Sequence, residues 1–290
     1  MHVLLATDGR PPAAAAESLL LTIADPARVE VTILHVDEYG NRLVADRVAE
    51  AVLRRSLERL TSAGIEAASR RRDGDVRRAI QHELDAGRYG LVAMGIGNTS
   101  WLGRLVLGGV STFVLHRSSV PALIVQREPI AGRDRVRVVV GADGSPAADR
   151  AIDTLLELAR PDSCDVFVRS VVEPPVAPPL GVIDPASIPS DVVETIAAEA
   201  TDSAQQHADR ARQRFEDAGF PCAADVVRGS AEVALLDLVH ERDAELVVVG
   251  SRGLGRLAAA ALGSVSAHAV RSSHAALVAR AADDVPPPSE

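Results

Sequence analysis

Apolar residues fall along this chain in short runs, many of them β-branched, that alternate with longer stretches of helical spacing. Runs at 3–6, 29–36, 65–71, 91–94 and 122–126 read as strands. Helical stretches at 12–23, 43–60, 76–86 and 110–117 lie between them, the first opened by the start signal Pro11-Pro12. The stretch 43–60 sets Val44, Val48, Val52, Leu53, Leu57 and Leu60 on one face. The same order recurs in the second half, with its long helix expected over 190–216, a strand over 246–249 and a last helix over 265–271. Strands that alternate with helices predict a parallel sheet covered on both faces. Short, continuously apolar runs such as 247–249 suit strands buried on both sides.

The second half repeats the first. Asp8-Gly9 matches Asp143-Gly144 at an offset of 135, and 31–36 matches 166–171 at the same offset. Further along the offset becomes 155, pairing Gly64 with Gly219, Gly74 with Gly229, Gly95 with Gly250 and Gly108 with Gly263. The second half thus carries a 20-residue insertion, most of it the run 173–189 with its six prolines. A period of this length means two whole domains of the usual size, each able to bury its own core. The expected fold is α/β: two tandem doubly wound domains with helices on both faces, at 1–127 and 135–282. A linker at 128–134 contains Pro129 and Gly132, and 283–290 reads as a disordered tail. The insertion falls on the carboxyl side of the sheet, where open α/β sheets bind ligands. Both a lid and a tolerated surface insertion stay open for it.

Composition narrows the function. With 47% hydrophobic residues, 24% charged and a net charge of −9, the chain reads as a soluble globular protein with no affinity for a nucleic-acid backbone. Aromatics at 2% leave no stacking platform for single strands. Lysine is absent, which removes a P-loop lysine, a Schiff-base lysine and a lysine general base together. Cys164 and Cys222 lack metal-ligand spacing and read as small, partly buried thiols, so no metal site is expected from the protein alone. The residues 1–6 run straight into a strand without a signal sequence, and no apolar run approaches the ~18 residues of a membrane span. The expected location is the cytoplasm. HExxH, a nucleophile elbow and a Walker A loop are all missing. His35, His82, His207 and His240 read as structural, and for His268 a structural role is weighed above a catalytic one. No catalytic residue is assigned.

The chemistry concentrates in one loop. Gly250-Ser251-Arg252-Gly253, nine residues and Gly263-Ser264 follow an apolar strand and precede a helix. A strand, a glycine-hinged loop and a helix N-terminus form an anion cradle, because backbone N–H groups point outward and the helix dipole favours negative charge. A phosphorylated small molecule is the expected ligand. Gly250 would let a ligand approach the backbone, Gly253 permits a positive φ, and Ser264 either caps the helix or gives its hydroxyl to a phosphate. Asp143 is either an N-cap or a carboxylate for a ribose hydroxyl or a phosphate-bound metal ion, and Asp8 repeats it. The first copy reads Gly95-Ile96-Gly97-Asn98, nine residues, then Gly108-Gly109. Asn98 replaces the second glycine and Gly109 the serine, so weaker binding is expected there.

At Asp143-Gly144-Ser145-Pro146 and at Gly250-Ser251-Arg252-Gly253 with Gly263-Ser264-Val265-Ser266, the chain resembles the universal stress protein family over nearly its whole length. The second half matches the G-x2-G-x9-G-(S/T) loop of the family's ATP-binding subgroup. The resemblance implies a five-stranded parallel sheet in each domain. Ala142, Asp143, Val171 and Val249 would then surround the nucleoside. Gly250, Arg252, Gly253, Gly263, Ser264 and Val265 would hold the phosphates. A weaker second site would comprise Thr7, Asp8, Val36, Met94, Gly95, Asn98, Gly108 and Gly109. The resemblance also implies pairing through the last strands, 121–126 and 275–279, hence an intrachain pseudo-dimer that could dimerise again. The function expected is an ATP-binding stress-response regulator, with AMP or a cyclic nucleotide as other ligands and Mg²⁺ accompanying the nucleotide. Hydrolysis would be slow or absent. A slow ATPase and a ligand-free interaction scaffold are the alternatives.

Overall fold

The computed structural model describes residues 1–38, 42–87, 89–97, 109–173, 189–251 and 262–281. The first half runs β1 (His2–Ala6), α1 (Pro11–Ile23), β2 (Glu30–Asp37), α2 (Arg42–Ser62), β3 (Glu66–Asp73), α3 (Val76–Asp85), β4 (Leu91–Gly95), α4 (Gly109–Arg117) and β5 (Ala122–Val125). The second half runs β6 (Val136–Gly141), α5 (Pro146–Leu158), β7 (Cys164–Val172), α6 (Ser190–Asp217), β8 (Cys222–Arg228), α7 (Ala231–Arg242), β9 (Leu246–Gly250), α8 (Ser264–Ser272) and β10 (Ala275–Ala279). A single turn of 3-10 helix, Pro161–Ser163, precedes β7. The tail at 283–290, most of the proline-rich run and most of both glycine loops lie outside the described residues.

Among the described residues the strands form a ten-stranded sheet in the order β3-β2-β1-β4-β5-β10-β9-β6-β7-β8. Within each half all neighbours are parallel. The central strands β4, β5, β9 and β10 are apolar because helices cover both faces. Val3 and Leu5 of β1 point to α1 and α2, whereas Leu4 points to α3 and α4. In the second half α5 and α6 share the first of these faces and α7 and α8 the second. The outermost strands β3 and β8 are partly exposed, β3 is largely polar and β8 carries Asp225 and Arg228, which blunts them as templates for further pairing.

The two halves close on each other at their last strands. β5 and β10 pair antiparallel, with Leu277 opposite Leu123 and both side chains fully buried. The last strands, whose pairing the family resemblance implies, therefore meet within one chain. A second contact joins the ends of α1 and α5, where Ala24 bridges Ala159, the same position in the two copies. The Asp25 amide donates to the Leu158 carbonyl at 2.9 Å and the Arg160 amide to the Ile23 carbonyl at 2.8 Å. Both core clusters contain residues from both halves, so the apolar core is continuous through the seam. Leu277→Ala should cost about 2–5 kcal/mol and leave one cooperative transition in urea. Two separated transitions would show that the halves unfold independently.

Buried charge staples the periphery. Glu245, 2% exposed, accepts from the Ile130 amide at 2.6 Å and so pins the segment 128–134 to the second half. Glu83, 1% exposed, meets Arg70 at 3.1 Å, Arg72 at 2.7 Å and the Tyr89 hydroxyl at 3.2 Å. Burial pushes its carboxyl up, but Arg72 and Arg70 outweigh burial and hold it below its ordinary value. A lowered folded-state value contributes stability at neutral pH that is lost as the pH falls below the unfolded value of 4.5. The stability gap between wild type and Glu83→Gln should therefore shrink between pH 7 and pH 3; a gap independent of pH would contradict this. Cys164 is fully buried and Cys222 half-buried, and burial pushes their thiols up to about 11 and about 12. Neither is a reactive thiolate at neutral pH.

Candidate functional site

All strands of the second half end at one edge of the sheet. β6 lies between β9 and β7. The chain leaves it for α5 on one face and returns to β9 through α7 on the other, so the sheet parts at the carboxyl ends of β6 and β9. Such a switch point is where open α/β sheets hold ligands. A cavity of about 720 Å³ opens there. Its wall contains Ala142, Asp143, Val171, Val249, Gly250, Gly263, Ser264 and Val265, the eight described positions of the ten singled out by sequence. Arg252 and Gly253 lie outside the described residues.

The Asp143 turn is built by its own side chains. Asp143 Oδ1 accepts from the Ser145 amide at 2.9 Å, and Gly144 supplies the φ of +73° that this turn needs. Ser145, not Asp143, is the N-cap: its hydroxyl accepts from the Ala148 amide at 3.2 Å, with Pro146 opening α5. Asp8 likewise binds the Arg10 amide at 2.9 Å and does not cap α1. The capping role is one of two sequence readings of the aspartates, suggested because Asp143-Gly144-Ser145-Pro146 resembles a helix start.

Gly250 has a reason for being glycine other than ligand approach. A Cβ there would stand 2.8 Å from the Ala148 amide nitrogen and 2.9 Å from the Ala147 Cβ. The first turn of α5 thus crosses the strand end directly, which gives the glycine a packing reason beside its place in the cavity wall. Gly95 is tighter still, with its Cβ position 1.8 Å from the Pro12 carbonyl oxygen in α1.

The two ends of the second glycine loop are tied together. The Gly263 amide donates to the Ser251 carbonyl at 2.8 Å, and the Ser266 hydroxyl donates to the same carbonyl at 2.9 Å. Gly263 is the N-cap of α8 without a side-chain cap, so Ser264 is the first helical residue rather than the cap. Gly263, Ser264, Val265 and Ser266 at the start of α8 line the cavity, and no side chain caps the helix. The hydroxyl of Ser251 is 1% exposed, lies in the cavity wall and has no hydrogen-bond partner. A buried hydroxyl of this kind calls for a ligand or a water.

Several wall residues escaped the sequence. Arg169, 7% exposed, forms two hydrogen bonds to Asp225 at 2.8 and 2.6 Å and one to the Ala234 carbonyl at 2.9 Å. The Asp225 hydrogen bonds hold its guanidinium firmly protonated. Its charge is thereby engaged beneath the cavity, and it anchors α7. The one signal was a charge inside an otherwise apolar strand pattern. Ser203, Ala204 and His207 of α6, and Leu235 of α7, also line the wall. His268, next to the site in sequence, is held by Glu232 of α7. Among the described residues no group of three His, Cys, Asp or Glu side chains could hold a metal ion, and no helix is long and apolar enough to cross a membrane.

The first half keeps the architecture with different chemistry. Thr7 accepts the Gly9 amide on its hydroxyl at 3.2 Å, and its carbonyl lies 3.0 Å from His35 Nδ1. Beyond Val36, Asp37 faces His35 at 3.4 Å and pairs with Arg71, which also binds Asp46. These ion pairs tie the ends of β2 and β3 to α2, at positions that read Val172, Val226 and Thr201 in the second half. Met94 is buried, Gly95 lies under α1, and Gly109 starts α4. Asn98 and Gly108 lie outside the described residues.

The universal stress protein family model matches residues 1–126 and again 135–279. The chain belongs to the universal stress protein family, as two tandem copies. A universal stress protein of Mycolicibacterium smegmatis is 28% identical over 246 residues, covering 82% of this chain and 73% of the relative. Two solved structures share the fold along the chain. A universal stress protein of Archaeoglobus fulgidus aligns at a TM-score of 0.65 with 22% identity, over 96% of this chain and 98% of its own. One from Pseudomonas aeruginosa aligns at 0.66 with 15% identity, over 98% and 94%.

Proposed function

We propose that this universal stress protein binds ATP at the carboxyl edge of its second half and acts as a nucleotide-dependent regulator with little or no hydrolysis. The observation that carries the reading is the cavity of about 720 Å³ between β6 and β9, within the size range of small-molecule sites. It joins an apolar wall of Val171, Val249 and Leu235 to a helix N-terminus at Gly263-Ser264. An adenine base suits the first and a phosphate group the second. The orphaned Ser251 hydroxyl adds a buried donor at the strand end. Mg²⁺ would travel with the triphosphate, held by phosphate oxygens and water.

The regulator is favoured over an ATPase by what lines the cavity. Arg169 is engaged by Asp225, Asp143 is engaged through one oxygen by its own turn, and Glu173 accepts from the Ala231 amide. His207 sits against Gly144 on the Asp143 side rather than at the helix N-terminus proposed for the phosphates. In the first half the ion pairs of Asp37, Arg71 and Asp46 and the replacement of Ser264 by Gly109 favour weaker binding. Titration calorimetry with ATP and Mg²⁺ tests the reading: one site per chain is the expected stoichiometry. Sustained ADP release would favour the ATPase, and no binding would favour a ligand-free scaffold.

A further inference from the structure

We infer that His207 of α6 is a ligand-contacting residue that reads the nucleoside end of the second-half site, and that its replacement by Val52 in the first half sets the two halves apart. The inference rests on the nucleotide reading given above. α6 carries one stripe into the cavity: Ala200, Ser203, Ala204 and His207, spaced three, four and seven apart. Three of these side chains are small and leave space, and the fourth brings an imidazole. The ring lies against the Asp143 turn, with Nε2, Cε1 and Cδ2 all close to Gly144. A Cβ at Gly144 would fall 2.3 Å from His207 Nε2, so this glycine makes room for the ring as well as supplying a positive φ. Among the described residues none hydrogen-bonds the imidazole, although it is only partly exposed. Both ring nitrogens are therefore available to a bound molecule.

The position of α6 decides which end of the ligand the ring meets. α6 packs on the same sheet face as α5, whereas α8, whose N-terminus cradles the phosphates in this reading, lies on the opposite face. His207 stands beside Asp143-Gly144 rather than beside Gly263-Ser264. The base or ribose is what it can reach. In the first half the residue 155 positions earlier is Val52, and it occupies the same place: a Cβ at Gly9 would fall 2.4 Å from Val52 Cγ2. The packing on the turn glycine is thus conserved between the halves while the hydrogen-bonding capacity is lost. A structural imidazole would be expected to find a protein partner. A valine that packs equally well in the sister domain shows that packing alone does not need one.

The test compares His207→Val and His207→Gln with wild type, binding ATP and inorganic tripolyphosphate to each by calorimetry. Valine imports the packing already present at Gly9, so unchanged thermal unfolding is expected for it. His207→Val should weaken ATP about 3- to 10-fold, the worth of one hydrogen bond, and leave tripolyphosphate unchanged. His207→Gln should recover most of the ATP affinity. Wild-type ATP binding with an unaffected His207→Val variant overturns this inference alone. So does an equal loss of ATP and tripolyphosphate, which would place the ring at the phosphates. A wild type that binds neither compound overturns the nucleotide reading and this inference with it.

Discussion

Gly95→Val should destabilise the protein by about 3 kcal/mol, at the upper end of overpacking penalties, and lower its Tm by roughly 6–12 °C. The cause is local and rigid. The Cβ position at Gly95 lies 1.8 Å from the Pro12 carbonyl oxygen and 2.0 Å from its carbon, which are backbone atoms fixed by the first turn of α1. No rotamer change can clear them. Gly97, two residues on, provides the control: among the described residues its Cβ would meet only the Pro12 Cγ, at 3.4 Å. Gly97→Ala should therefore stay within about 0.5 kcal/mol of wild type. Urea unfolding of the two variants checks the pair. Equal stabilities would mean that α1 does not cross the end of β4 as described.

The second large effect concerns binding. Ala200 is exposed on α6 and faces the cavity. Ala200→Trp places an indole in the space proposed for the nucleoside while burying nothing of the core. The expected result is a loss of ATP affinity of at least about 100-fold, or ~2.7 kcal/mol, with stability changed by less than about 0.5 kcal/mol. Calorimetry and thermal unfolding on the same sample separate the two. Unchanged affinity would move the ligand away from α6 altogether.

Much of the architecture was legible in the sequence because period and punctuation agreed. β-branched runs alternated with helical spacing, and the repeat offset changed from 135 to 155 where the insertion enters. Helix bounds moved little: the helix expected over 12–23 begins at Pro11, and the one over 190–216 ends at Asp217. The described glycine-loop positions and Asp143 fall around one cavity because strand ends and helix starts are fixed by topology. The side-chain roles were less legible. Ser145 took the cap from Asp143 because an Asx turn inserted two residues before the helix. Gly250 also has a packing reason to be glycine, because α5 crosses it, a contact between segments about a hundred residues apart that no local pattern announces. Arg169 and His207 came into the site from a strand interior and from a helix face, each meaningful only once β7 and α6 were placed beside β6.

The central claim is that one nucleotide is held per chain, in the second half. Its most direct test is to denature freshly purified protein, identify any released nucleotide by chromatography and mass spectrometry, and quantify it per chain, topping up with ATP and Mg²⁺ before a second measurement. The account predicts about one adenine nucleotide per chain for wild type and close to none for Ala200→Trp. Two per chain, or none even after added ATP, would contradict it.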